Sequence, residues 1–205
     1  MTEDDLDDLE FDTLRTGDHT SAARRLSELA ASVSGGVSRA KVLLRAGEQW
    51  QHAGDHDKAA ELYRQAIEDG GETYGDPRAY LADALFELGR GDEARALIEQ
   101  IRADRPRDPE VYRTVAEVLY AQGDMIGAYD WATAGADVVL ALRSGERRDG
   151  DLDALGELGD LDDPGDLAVA EDSLEALLRL RYRARIDLGR AEDEYDAMLD
   201  DLLKA

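Results

Sequence analysis

Three glycines, Gly54, Gly89 and Gly123, stand 35 and 34 residues apart, and the residues around them repeat in register. Eight residues before each glycine are Ala46, Leu81 and Val115, and seven before are Gly47, Ala82 and Ala116. Four before are Trp50, Leu85 and Leu119. Five residues after are Ala59, Ala94 and Ala128, and nine after are Tyr63, Ile98 and Ala132. Steps of three and four place the upstream apolar residues on one face of a first helix and the downstream ones on one face of a second. Small residues seven before and five after let the two helices approach closely. Glycine between them accepts the positive φ that ends a helix. Pro77, Pro106 and Pro109 fall between units, where a helix must stop or start. The repeating unit is therefore a helical hairpin of about 34 residues, and the chain is expected to be all-α.

This pattern resembles the tetratricopeptide repeat. The first unit carries it through Leu43, Ala46, Gly47, Trp50, Gly54, Ala59, Tyr63 and Ala66. The second does so through Leu81, Ala82, Leu85, Gly89, Ala94 and Pro106, and the third through Tyr112, Val115, Ala116, Leu119, Gly123 and Ala128. Ala132 and Gly135 are smaller than the aromatic residues usual there, so the third unit is expected to fit loosely. The resemblance implies a right-handed superhelix of stacked antiparallel helical hairpins. It covers residues 40–140, and the flanks read as degenerate units. Residues 1–36 form an N-terminal hairpin around Gly17, with Ala22, Leu26 and Leu29 at matching offsets. Residues 37–143 hold the three repeats, residues 144–172 an acidic Gly-rich insertion, and residues 173–205 a capping helical pair around Gly189. In that last pair the strict register puts Arg181 and Arg185 on apolar positions. A shifted face of Leu177, Leu180, Ala184 and Leu188 is expected instead, with Arg179, Arg181, Arg183 and Arg185 exposed.

Charge narrows the functions open to such an array. Forty-eight acidic residues against 24 basic ones give a formal net charge of −24. That argues against nucleic acid and against an anionic membrane surface as partners. Residues 1–12 carry seven acids and no base, and residues 149–172 carry ten acids and no base. The other 169 residues carry only −7, which is ordinary for a soluble helical protein. No basic stretch followed by an apolar run stands at the start, and no apolar run approaches the length of a membrane span. A cytoplasmic setting is the expectation. The absence of cysteine removes disulfides, thiol catalysis and thiolate metal sites.

No pattern of catalytic chemistry stands out. Phosphate-binding glycine loops and a nucleophile elbow are both absent, so no catalytic residue and no cofactor is expected. Asp149, Asp151 and Asp153 have the spacing that opens a calcium loop, but Ala154 stands where such a loop needs glycine and Asp160 where it needs glutamate. A solvated acidic loop is expected there. His52 and His56 have the four-residue spacing of a zinc helix, but Gly54 and Asp55 break the helix between them, so no metal site is expected.

Binding remains. In the family that the chain resembles, the first helix of each hairpin lines a concave groove in which peptides bind. Six residues before each turn glycine stand Glu48, Asp83 and Glu117, which stacking would align in a column. One helical turn earlier are Leu44, Ala79 and Arg113, and three residues after the carboxylates are Gln51, Phe86 and Tyr120. Carboxylates beside aromatic rings suit a segment bearing Arg or Lys, through ion pairs and cation–π contact. The carboxylate clamp of chaperone-binding members needs Lys and Asn where Leu44, Ala79, Glu48, Asp83 and Glu117 stand, so an acidic chain terminus is not the expected ligand. The partner expected is a basic or amphipathic segment of another protein. The alternatives are self-association into a homo-oligomeric structural scaffold through Trp50, Trp131 or the apolar end helices, and, behind it, a metal-dependent enzyme built on acidic side chains. The acidic insertion is also a candidate to fold back onto the arginines of residues 179–185.

Overall fold

In the computed structural model, residues 6, 11, 13, 15–32, 36–144 and 164–204 are described. The chain divides into two compact units, Met1–Asp104 and Arg105–Ala205. The third hairpin thus groups with the C-terminal helices, and not with the first two repeats. All regular structure among the described residues is helical.

The first unit contains α1 (His19–Ser32), α2 (Arg39–His52), α3 (His56–Asp69), α4 (Pro77–Glu87) and α5 (Gly91–Asp104). Ahead of Gly17, the described residues Leu6, Phe11, Thr13, Arg15 and Thr16 are helical. Each helix packs on the next, and α2 also reaches α4, the contact that stacks one hairpin on another. The second unit contains α6 (Pro109–Ala121), α7 (Met125–Ser144), α8 (Pro164–Asp187) and α9 (Glu194–Leu202). Here α8 packs against both α6 and α7, and α9 against α8.

The turns between paired helices share one geometry. Gly17, Gly54, Gly89, Gly123 and Gly189 have φ of 70°, 80°, 72°, 80° and 65°. At Gly54, the Asp55 N–H reaches back 2.9 Å to the Trp50 carbonyl; Arg90 to Leu85, Asp124 to Leu119 and Arg190 to Arg185 repeat the bond at 2.8, 2.9 and 3.1 Å. This bond satisfies a helix-end carbonyl that otherwise has no partner inside the helix. Starts are marked as firmly. Pro77 and Pro109 occupy first-turn positions, and the Asp76 and Asp108 side chains accept the Arg78 and Glu110 N–H groups. Asp55 caps α3 in the same way, and Asp193 with Asp196 forms a reciprocal capping box on α9.

The repeat positions are the core. Leu43, Ala46, Ala59, Tyr63 and Ala66 are at most 1% exposed, and Leu81, Leu85, Ala94, Ile98 and Ile101 are buried in the next hairpin. A Cβ on Gly47 would run into the Tyr63 ring, so a glycine there is what lets that ring lie flat on α2. The third hairpin is not loose, contrary to expectation. Trp131 is 2% exposed with its ring centroid 5.4 Å from that of Tyr112. A Cβ on Gly135 would come within 2.6 Å of Tyr112 and 2.8 Å of Leu177. The small residue admits α8, which fills the space an aromatic side chain would have taken.

The last hairpin departs further from expectation. Arg181 and Arg185 hold the strict register positions and are 3% and 5% exposed, while Leu177, Leu180 and Ala184 are buried as well. The face need not shift, because α8 is covered by α6, α7 and α9 and buries a wide arc. Both charges are met. The Arg181 guanidinium donates to both Asp193 oxygens at 2.9 and 2.7 Å and to Thr133 Oγ1 at 2.9 Å, between the Tyr129 and Tyr195 rings. Arg185 donates to Asp196 at 3.0 Å and to the Arg190 carbonyl at 2.7 Å. Arg179 pairs with Glu175. Three of the four arginines expected to face the acidic insertion therefore have acids of their own. Helix α8 begins at Pro164, so the loop expected to run through Asp172 is helical from there on. Asp149, Asp151 and Asp153 lie outside the described residues.

The histidines pack rather than converge. His52 ends α2 and His56 begins α3, so the turn separates them. His52 instead meets His19 of α1, ring centroids 5.1 Å apart, and His19 Nδ1 is 2.8 Å from Gln49 Oε1.

Two outcomes are expected. Asp193→Ala removes the partner of a buried guanidinium and a helix cap, and should lower unfolding free energy by about 3 kcal/mol in chemical denaturation; a loss below about 1 kcal/mol would mean that Arg181 is not held as described. Burial and the neighbouring His19 ring hold the His52 imidazole below its ordinary 6.5. Folding thus favours the neutral ring, and its contribution is whole above the unfolded value and lost as pH falls through the lowered one. Between about pH 7.5 and about pH 5.5 the Tm of the native protein should fall more steeply than that of His52→Gln; parallel profiles would refute the coupling.

Candidate functional site

The groove positions divide between the two units. In the first, Glu48, Gln51 and Asp83 come together where α2 faces α4. Gln51 Nε2 donates to the Asp83 carboxylate, and Gln51 Oε1 accepts from the Tyr63 hydroxyl at 3.0 Å. Glu48 accepts from the Tyr74 hydroxyl. Tyr80 ties the group together, its ring centroid 5.8 Å from that of Tyr63 and 6.1 Å from that of Tyr74. The Arg45 guanidinium lies 5.1 Å from the Tyr74 ring centroid.

The electrostatics follow from burial. Asp83 is raised above the ordinary carboxylate range, chiefly because it is shielded from water; Gln51 and His56 oppose the shift and Glu87 adds to it. Tyr63 and Tyr74 are both pushed up by burial and by the Glu48 charge beside them. The result is two carboxylates, half-buried, bonded to neutral amide and phenol donors. Asp83 has lost hydration and has gained the hydrogen bond of a neutral amide in exchange.

Leu44 and Ala79, expected to line the groove, are 0% and 1% exposed. They are core residues with no surface to offer a ligand, because α2 and α4 are each packed on more than one side. Phe86 is half-buried with the Arg95 guanidinium 5.6 Å from its ring centroid.

In the second unit Arg113, Glu117 and Tyr120 lie along α6, and each is engaged. Arg113 donates to Glu110 and, at 2.6 Å, to Glu117. Those two carboxylates hold the guanidinium above its ordinary value. Tyr120 donates to Asp187 of α8 at 2.7 Å, which raises the phenol and ties one hairpin to the next. Trp50 and Trp131, considered for self-association, are 7% and 2% exposed and belong to the core. Trp50 is covered in addition by the Lys58 ammonium, 3.9 Å from the ring centroid.

Tyr74 and Tyr80 were not legible as site residues from the repeat register. Tyr74 sits in the loop before α4, outside the repeating positions. The one local signal is Gly75, where a Cβ would stand 3.2 Å from the Tyr80 hydroxyl.

No helix among the described residues is long and apolar enough to cross a membrane. Comparison with curated proteins finds no match. Among solved structures, BtubC (BKLC) from P. vanneervenii aligns with 15% identity and a TM-score of 0.45 over 89% of this chain and 79% of that one. Two family models described as tetratricopeptide repeat match residues 12–73 and 51–125. Together they span every turn glycine from Gly17 to Gly123, the positions whose left-handed geometry and flanking small residues build the hairpins described above, and the chain belongs to the tetratricopeptide repeat family.

Proposed function

We propose that the chain is a non-catalytic binding module that holds a basic or amphipathic segment of another protein against Glu48, Gln51 and Asp83. Repeats of this family mark a protein-interaction or scaffold module and are generally non-catalytic. The observation that carries the finer statement is Asp83, a half-buried carboxylate raised by desolvation and bonded to a neutral amide. An arriving guanidinium or ammonium supplies the charge that Gln51 does not, in surroundings where an ion pair is screened less than at the open surface. Glu117 contributes little, because Arg113 already answers its charge.

A fluorescently labelled Arg-rich helical peptide tests this by anisotropy at about 50 mM and about 300 mM salt. Asp83→Asn should weaken binding about tenfold at low salt, with circular dichroism unchanged. Glu117→Gln, which removes equal formal charge, should change it less than about threefold. Equal losses from the two variants would mean that the peptide senses only net charge, and would sink the assignment.

A further inference from the structure

Twice in this fold, the residue three before a turn glycine reaches forward and bonds to the first helix of a later hairpin. Gln51 does so to Asp83, which stands six residues before its own glycine, Gly89. Tyr120 does so to Asp187, one helical turn beyond the matching position held by Arg183. In the last hairpin the reaching position is Ile186. It is 50% exposed, and Tyr182, one turn earlier on the same face of α8, is 41% exposed. In the first hairpin the receiving position, six residues before Gly17, is Phe11, and it is 68% exposed. A closed array needs polar residues at its terminal faces. Here the first and the last hairpin carry exposed apolar residues, at the positions that match Asp83 and Gln51.

We infer that the chain associates head to tail with a second copy of itself, Ile186 and Tyr182 of one copy packing against Phe11 of the next. Charge distinguishes this from pairing of like ends. Arg183 is exposed on α8 beside Tyr182 and Ile186, where Glu175 is already answered by Arg179, whereas residues 1–12 carry seven acids and no base. Unlike ends attract, and two copies of the α8 face gain no such attraction. The contact is heterologous, so a pair keeps one unused end of each kind and can add further copies. It does not depend on the acid–tyrosine patch, and Asp83→Asn leaves it unchanged.

The test is the mass of the full chain in solution, by sedimentation velocity across a wide concentration range. The native protein should grow in mass with concentration. Phe11→Asp and Ile186→Asp, both at exposed positions, should each stay folded by circular dichroism and each remain monomeric alone. Mixed, they should form a 1:1 dimer, because each variant retains the end that the other has lost. Three results would overturn the proposal. One is a native protein whose mass does not change with concentration, and another is a Phe11→Asp variant that associates as the native chain does, which would place two α8 faces together. The third is a mixture that stays monomeric.

Discussion

The three hairpins around Gly54, Gly89 and Gly123 depend on a small residue seven places before the turn, which lets their two helices lie close. The clearest case is Gly47 under the Tyr63 ring, where one added carbon would overlap the aromatic atoms. Ala82 and Ala116 hold the same place in the following hairpins and are fully buried. Close approach alone would not set the angle between the helices. That comes from the turn, where one glycine at positive φ ends the first helix and returns a backbone N–H to its last open carbonyl. With spacing and direction both set locally, the hairpins around Gly54 and Gly89 stack within the first unit through α2 and α4.

Where the small residues change, the packing adjusts instead of failing. Gly135 lacks the bulk of its counterparts, and α8 moves into the vacated space through Leu177. Arginine replaces apolar residues in the last hairpin, and α9 answers with Asp193 and Asp196 at the start of the helix. The buried guanidinium of Arg181 is tolerable because its hydrogen bonds and both ring faces are met. An unmet charge there would be strongly destabilising. The capping box on α9 therefore does two things: it starts that helix, and it anchors the helix to α8.

The same contrast between met and unmet charge sorts the candidate site. Glu117 has a guanidinium on its own helix, one turn away. Asp83 and Glu48 have amide and phenol partners. Three carboxylates at one register position thus differ in what they can offer a cation. For Asp83 and Glu117 the difference lies in what stands one turn earlier on the helix: Arg113 before Glu117, but the buried Ala79 before Asp83.

Read alone, the sequence determined the hairpins, their length, their turn glycines and the residues of their cores. It could do so because each follows from contacts within about 34 residues, where spacing on a helix stands for position in space. The candidate carboxylates were legible for the same reason. What the register could not convey was the state of each side chain, which depends on helices far along the chain. Leu44 and Ala79 looked like groove residues and are core, because their helices are covered on several sides at once. Arg181 and Arg185 looked like surface charges and are buried, because residues 193 and 196 supply partners that no periodicity announces. Tyr74 joined the site through a loop that carries no repeat, and brought the Tyr80 ring of α4 with it. Periodic positions were therefore decided by local spacing, and burial, charge pairing and loop contacts only by tertiary packing.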